Sequence, residues 1–169
     1  MLYIVTGLPY AGKTTLTNKL VERFGYEVVS VDEQIDQGNY IVEKMTQDDW
    51  NVVYSKAFDK LKRLLTESKT VIFDGGSLKR SERNTLREIA EGLNNESRLI
   101  YVKIPKREIT QRWLKNQTTK ERDHLEEQPL NFAFDLFEEP TDDEQPIIYN
   151  QNLDLDQWIS EIFFNTNLQ

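Results

Sequence analysis

Residues Gly7-Leu8-Pro9-Tyr10-Ala11-Gly12-Lys13-Thr14 follow the spacing G-x-x-x-x-G-K-[ST]. Chemically, that spacing is a phosphate cradle. Glycines let the backbone curl until successive N–H groups point into one concavity. A helix that opens at the loop aims its partial positive end at the same place. Lys13 adds a point charge for β- and γ-phosphates, and the Thr14 hydroxyl is a ligand for Mg²⁺. Gly7, Pro9, Tyr10, Ala11, Gly12, Lys13, Thr14 and Thr15 are therefore the candidate nucleotide contacts, with ATP and Mg²⁺ as the expected ligands.

Two carboxylates follow apolar runs that read as strands. Asp32 comes just past Glu27 to Val31, and Asp74 just past Thr70 to Phe73. In a parallel sheet such residues emerge at the carboxyl edge, where ligands bind. Asp32 is placed to take the proton of a hydroxyl as it attacks a γ-phosphate. Its plainer role is to cap a turn. Asp74 is placed to hold Mg²⁺, and its plainer role is turn chemistry with Gly75 and Gly76. Farther on, Arg112, Lys115, Lys120 and Arg122 concentrate positive charge in a polar stretch, expected to act as a lid over ATP at about 112–128. The other reading of that stretch is a solvated helix face. Arg83 and the single histidine, His124, are expected at the surface.

Taken in order, four features resemble the small P-loop kinases of the polynucleotide kinase, zeta-toxin and antibiotic-phosphotransferase type. They are the loop ending Gly12-Lys13-Thr14-Thr15, Asp32 after the second strand, and Asp74 followed by Leu78 and Arg83. The fourth is a helix opening at Pro105 and leading to Arg112. The resemblance spans Met1 to about Tyr149. It implies a P-loop NTPase fold whose five-stranded parallel sheet runs in the order 2-3-1-4-5, with Asp32 as general base. It also implies two lid arginines about a helical turn apart. Arg112 matches the first and Asn116 falls on the second, so Arg122 is expected to take that part. Polynucleotide-type kinases carry an Arg three residues after the base, where this chain has Ile35. They also have a small residue where this chain has Tyr10. Both departures weigh against a nucleic-acid 5′ end as acceptor.

The elements that must hold these residues alternate between strand and helix, the signature of an α/β fold. Leu2 to Val5 is a buried strand. Lys13 to Phe24 is helical, with Leu16, Leu20, Val21 and Phe24 on one face and Gly25 as C-cap. Thr46 and Asp49 form a capping box for a long helix striped by Trp50, Val53, Ala57, Phe58, Leu61, Leu64 and Leu65. Ser81 is expected to cap a helix with Leu86, Ile89, Ala90 and Leu93 inward. Arg98 to Ile104 and Pro146 to Tyr149 read as the last strands. Asn116 to Gln128 reads as polar and irregular, and Leu155 to Phe163 as a closing helix.

The chain has 169 residues, enough for a single domain, 1–169, and one sizeable core. With no cysteine, it carries neither a disulfide framework nor a thiolate metal site. No secretion signal or membrane span is evident, so a cytoplasmic setting is expected. The net charge of −8 argues against a long nucleic acid as partner. Beyond Leu125 there is neither Lys nor Arg, and an acidic run follows that is free to stay solvated or to dock on the basic lid. The expected activity is ATP-dependent phosphorylation of a hydroxyl on a small-molecule acceptor. A non-catalytic ATP-binding regulatory module and a plain ATPase are the alternatives.

Overall fold

A computed structural model of the chain describes residues 1–75, 77–121 and 125–164. Five strands pair in parallel in the order β2-β3-β1-β4-β5, as expected. They are β1 (Leu2–Thr6), β2 (Glu27–Ser30), β3 (Val71–Asp74), β4 (Ser97–Lys103) and β5 (Ile147–Asn150). The central strand, β1, is buried along its whole length. Its side chains alternate between two cores, because successive residues of a strand point to opposite faces. Leu2 and Ile4 enter one core with Val53, Leu61, Phe73 and Leu86. Tyr3 and Val5 enter the other with Leu16, Leu20, Ile109, Trp113 and Trp158. Each Leu or Ile fully removed from water contributes about 1.5–3 kcal/mol.

On the second of these faces lie α1 (Lys13–Phe24) and α5 (Lys106–Thr119), with α6 (Glu127–Leu136) and α7 (Leu155–Ile159) beside them. The opposite face carries α2 (Val31–Gln37), α3 (Gln47–Thr66) and α4 (Arg80–Gly92). The expected caps of α1 and α3 are present. Gly25 is left-handed and donates its N–H to the Val21 carbonyl. The Asp49 N–H donates to the Thr46 hydroxyl at 3.2 Å, and the Thr46 N–H donates to Asp49 Oδ2 at 2.8 Å.

Local details correct the sequence reading in four places. Val31 opens α2 rather than ending β2, because the Ser30 hydroxyl accepts from the Glu33 N–H and caps a helix there. Ser81 lies inside α4, not at its cap: the N-cap is Lys79, whose N–H donates to the Glu82 carboxylate at 3.0 Å. The stretch 116–128 is less irregular than its polarity suggests, since α5 runs to Thr119 and α6 starts at Glu127. The closing helix is shorter, and passes at Ser160 into a π-helical turn that ends at Phe164. No helix of the described residues is long and apolar enough to cross a membrane.

Candidate functional site

The loop at the end of β1 leaves the strand at Gly7, whose φ is +148°. A Cβ there would lie 2.7 Å from the Val102 carbonyl oxygen, so the close approach of β4 admits only glycine. A turn closes with the Ala11 N–H on the Leu8 carbonyl at 3.2 Å, and α1 starts from a left-handed Gly12. Thr14 and Thr15 are exposed in the first turn of that helix. Lys13 folds back over the loop, donating to the carbonyls of Gly7 at 2.9 Å and Leu8 at 3.2 Å. The N–H groups, the helix start and the lysine thus converge on one concavity.

The two carboxylates reach the same edge. Ser30 pairs with Asp74 across β2 and β3, and Asp32 stands exposed two residues past Ser30, in the first turn of α2. Burial raises the proton affinity of Asp74 above the ordinary carboxylate range; Lys13 opposes that rise and Asp32 adds to it. Asp74 thus feels both Lys13 and Asp32 through space. Ile35, the position where polynucleotide-type kinases carry an Arg, is buried in the core.

Arg112 reaches the loop from α5. Its Nη1 donates to the carbonyls of Tyr10 at 3.2 Å and Ala11 at 3.3 Å, and its Nε donates to Glu108 at 3.1 Å. Together with Ala11, Gly12, Thr15, Ile104, Tyr149, Gln151 and Leu155 it lines a cavity of about 210 Å³. The two departures noted in the sequence meet each other. Tyr10 is left-handed and nearly buried, and its hydroxyl accepts from the Leu125 N–H at 3.2 Å and from Asn116 Nδ2 at 3.5 Å. Beside it Trp113 Nε1 donates to the Leu125 carbonyl at 2.6 Å. An arginine at 116 would have to enter a space the tyrosine already occupies, so the larger loop residue accompanies the smaller lid residue. Lys115 pairs with Glu121 at 3.6 Å and Lys120 is the exposed, left-handed end of α5. Arg122, His124 and Gly76 lie outside the described residues.

Arg83 is not solvated. It is fully buried, gripping Glu144 with Nε at 2.8 Å and Nη2 at 2.7 Å, while Nη1 donates to the Ser77 and Leu78 carbonyls. Arg87 adds a third bond to Glu144 at 2.9 Å. These hydrogen bonds, Arg83's first, hold the Glu144 carboxyl down at about 2. Among the described residues, the acidic run is paired away from the lid. Asp143 pairs with Arg80, Glu138 accepts from the Arg80 N–H, and Glu139 pairs with Lys103 of β4.

Sequence reasoning passed over Tyr54, which lies between Val53 and Ala57 on α3 and points to the same edge. Its hydroxyl donates to the Gly75 carbonyl at 3.4 Å. Burial, then the charges of Glu82 and Asp32, push its phenol up to about 12. Its place one residue past the α3 stripe was the available signal.

Comparison with known proteins bears on the family and the fold. The family model AAA_33, described as an AAA domain, matches residues 2–140. A Schizosaccharomyces pombe protein named a gluconokinase is 26% identical over 155 residues, covering 87% of this chain and 77% of the relative. The structure of a gluconokinase from Sinorhizobium meliloti superposes with a TM-score of 0.65 at 17% identity, covering 99% of this chain and 95% of that one. Kti12 from Chaetomium thermophilum, solved in complex with ADP-AlF3, superposes with a TM-score of 0.74 at 19% identity, covering 97% and 98%. At these identities the two structures bear on the fold alone.

Proposed function

The chain belongs to this AAA-domain family, and from that premise we propose that it is an ATP-dependent kinase transferring the γ-phosphate to a hydroxyl of a small molecule. One observation carries the reading. Asp74 stands at the sheet edge where the phosphate loop begins, close enough to Lys13 and to Asp32 for both charges to act on it.

ATP would lay its phosphates on N–H groups of the loop and of the first turn of α1, with Lys13 exchanging the carbonyls of Gly7 and Leu8 for β- and γ-oxygens. The cavity beside Arg112 and Tyr149 then receives the base. Asp32 accepts the acceptor's hydroxyl proton as that oxygen bonds the γ-phosphorus. The bond to the bridging oxygen breaks, and ADP leaves. Arg112, with Arg122, serves the transferring phosphate from a lid at about 112–128 of a single domain, 1–169.

The residues present fit Mg²⁺. The Thr14 hydroxyl is exposed at the loop, and Asp74 is an anion whose burial is unrelieved by any described hydrogen bond. No cluster of three or more acidic or histidine ligands exists among the described residues, which suits an ion that shares phosphate oxygens. Bound there, Mg²⁺ supplies neutralisation of phosphate charge. ATP as donor and an acidic surface suit a cytoplasmic protein with a small-molecule partner and no nucleic acid.

The test is incubation with γ-labelled ATP and a metabolite pool. Label on a small molecule supports the kinase. Label only in inorganic phosphate makes the protein an ATPase, and unconsumed ATP makes it a binding module.

A further inference from the structure

A second cavity, of about 240 Å³, shares no described lining residue with the phosphate loop and lies between α3, the end of β3 and the start of α4. Three rings stand along it in series, Tyr54 to Phe58 at 5.9 Å and Phe58 to Phe73 at 6.0 Å between centroids. Among its polar groups is the hydroxyl of Ser77, a residue 2% exposed, which has no hydrogen-bond partner among the described residues. Glu82 also lines it, with one oxygen taken by the Lys79 N–H and no described ion pair to neutralise its charge. No Lys, Arg or His is among its described lining residues. Arg83, behind the Ser77 carbonyl, is already matched by Glu144.

The cavity adjoins the transfer edge. Phe73 and Gly75, which line it, bracket Asp74, and the Tyr54 phenol feels the charges of both Glu82 and Asp32. The surrounding sequence has the same sign. Residues 31–59 carry Asp32, Glu33, Asp36, Asp48 and Asp49, among other acids, with only Lys44 and Lys56 as cations. Aromatic faces attract an ammonium through their quadrupole, and an unneutralised carboxylate adds to that attraction. A carboxylate guest would meet like charge and no cation to offset its desolvation. The volume lies below the roughly 300–1,000 Å³ of drug-sized sites, so the guest is compact.

We propose that this cavity is the acceptor subsite and that it selects an ammonium-bearing alcohol with an apolar body, against hydroxy acids. The assignment as acceptor rests on the kinase reading above; the charge preference does not. In the transfer, the guest's hydroxyl oxygen bonds the γ-phosphorus, its proton passes to Asp32, and ADP departs with the electrons of the broken bridge bond. The ammonium stays unreacted against the rings and Glu82.

Three matched probes test it: 2-amino-1-phenylethanol, 1-phenylethanol and mandelate, titrated by calorimetry into the full chain with a non-hydrolysable ATP analogue. The amine should bind best and mandelate worst, with at least about ten-fold between them. Glu82→Gln keeps an oxygen for the Lys79 N–H. It should weaken the amine several-fold and leave 1-phenylethanol unchanged, with an unaltered melting temperature as the check on folding. Phe58→Leu should weaken the amine more than the neutral probe. Mandelate binding as tightly as the amine, an amine affinity indifferent to Glu82→Gln, or no binding by any probe would overturn the proposal. If the probes bind in the expected order but neither the amine nor any other acceptor takes label from γ-labelled ATP, the kinase reading fails while the charge preference stands.

Discussion

Two charged clusters stand near the end of β3, and they are built on opposite terms. In one, Glu144 receives three hydrogen bonds from Arg83 and Arg87, and its carboxyl is held at about 2. In the other, Asp74 is half-buried without a described hydrogen bond, with Asp32 adding like charge and Lys13 turned to loop carbonyls. Its proton affinity is raised. Both draw carboxylates at least partly out of water, so desolvation alone does not distinguish them. Pairing does. A paired cluster has its charge matched and serves to pin the 3₁₀ turn Asp142–Glu144 to α4. An unsaturated one has charge to spend on phosphates, a metal and a proton.

The contrast breaks most visibly in catalysis. Lys13→Ala should abolish ATP turnover in a folded protein. Asp32→Asn should cut transfer by about 10²–10⁴-fold while ATP affinity holds or tightens slightly, because one negative charge near the phosphates is gone. Rates and nucleotide titrations on the two variants check this. A wild-type rate in Asp32→Asn would return Asp32 to a turn residue.

Next in size is stability. Glu144→Ala leaves the Arg83 charge buried and unmatched, at a cost of about 3–5 kcal/mol. At about 2–4 °C per kcal/mol, the melting point should fall by roughly 10 °C, with ATP affinity unchanged in the protein that stays folded. The wild-type contribution has a pH signature. Since the folded pKa of about 2 lies below the ordinary 4.5, it is fully present above 4.5 and is lost as pH falls toward 2. Melts in that window should show the variant's deficit closing.

Smallest, and opposite in sign, is Asp74→Asn. A raised folded pKa means that ionised Asp74 costs stability at neutral pH. The variant should therefore melt a little higher than wild type at pH 7. The advantage should vanish as pH falls to the ordinary value of 3.8, where wild-type Asp74 is protonated in the folded state. A variant that melts lower at pH 7 would mean that Asp74 is paired like Glu144.

What could be read in the residues follows from how far apart the interacting groups are. The phosphate loop is eight consecutive residues, so its glycines, lysine and threonine are visible together. The α3 stripe and its Thr46–Asp49 box repeat within a turn or two of helix. Asp32 reads in sequence as lying just past a strand that includes Val31, whereas it stands in the first turn of α2, because the Ser30 cap that starts this helix looks like any serine.

The chain's own order therefore determined the phosphate loop, the alternation of strands and helices and the core faces, because caps and periodicities act over a few residues. Tertiary structure alone decided that Arg83 is buried, since its partner Glu144 lies 61 residues away and the pair exists only once β4 and β5 are in register. It alone joined Tyr10 to Asn116 and Leu125 across more than a hundred residues. It also gathered Tyr54, Ser77 and Glu82 around one cavity. A charge or hydroxyl reads as exposed in sequence because water is its default partner, and only the fold can supply another.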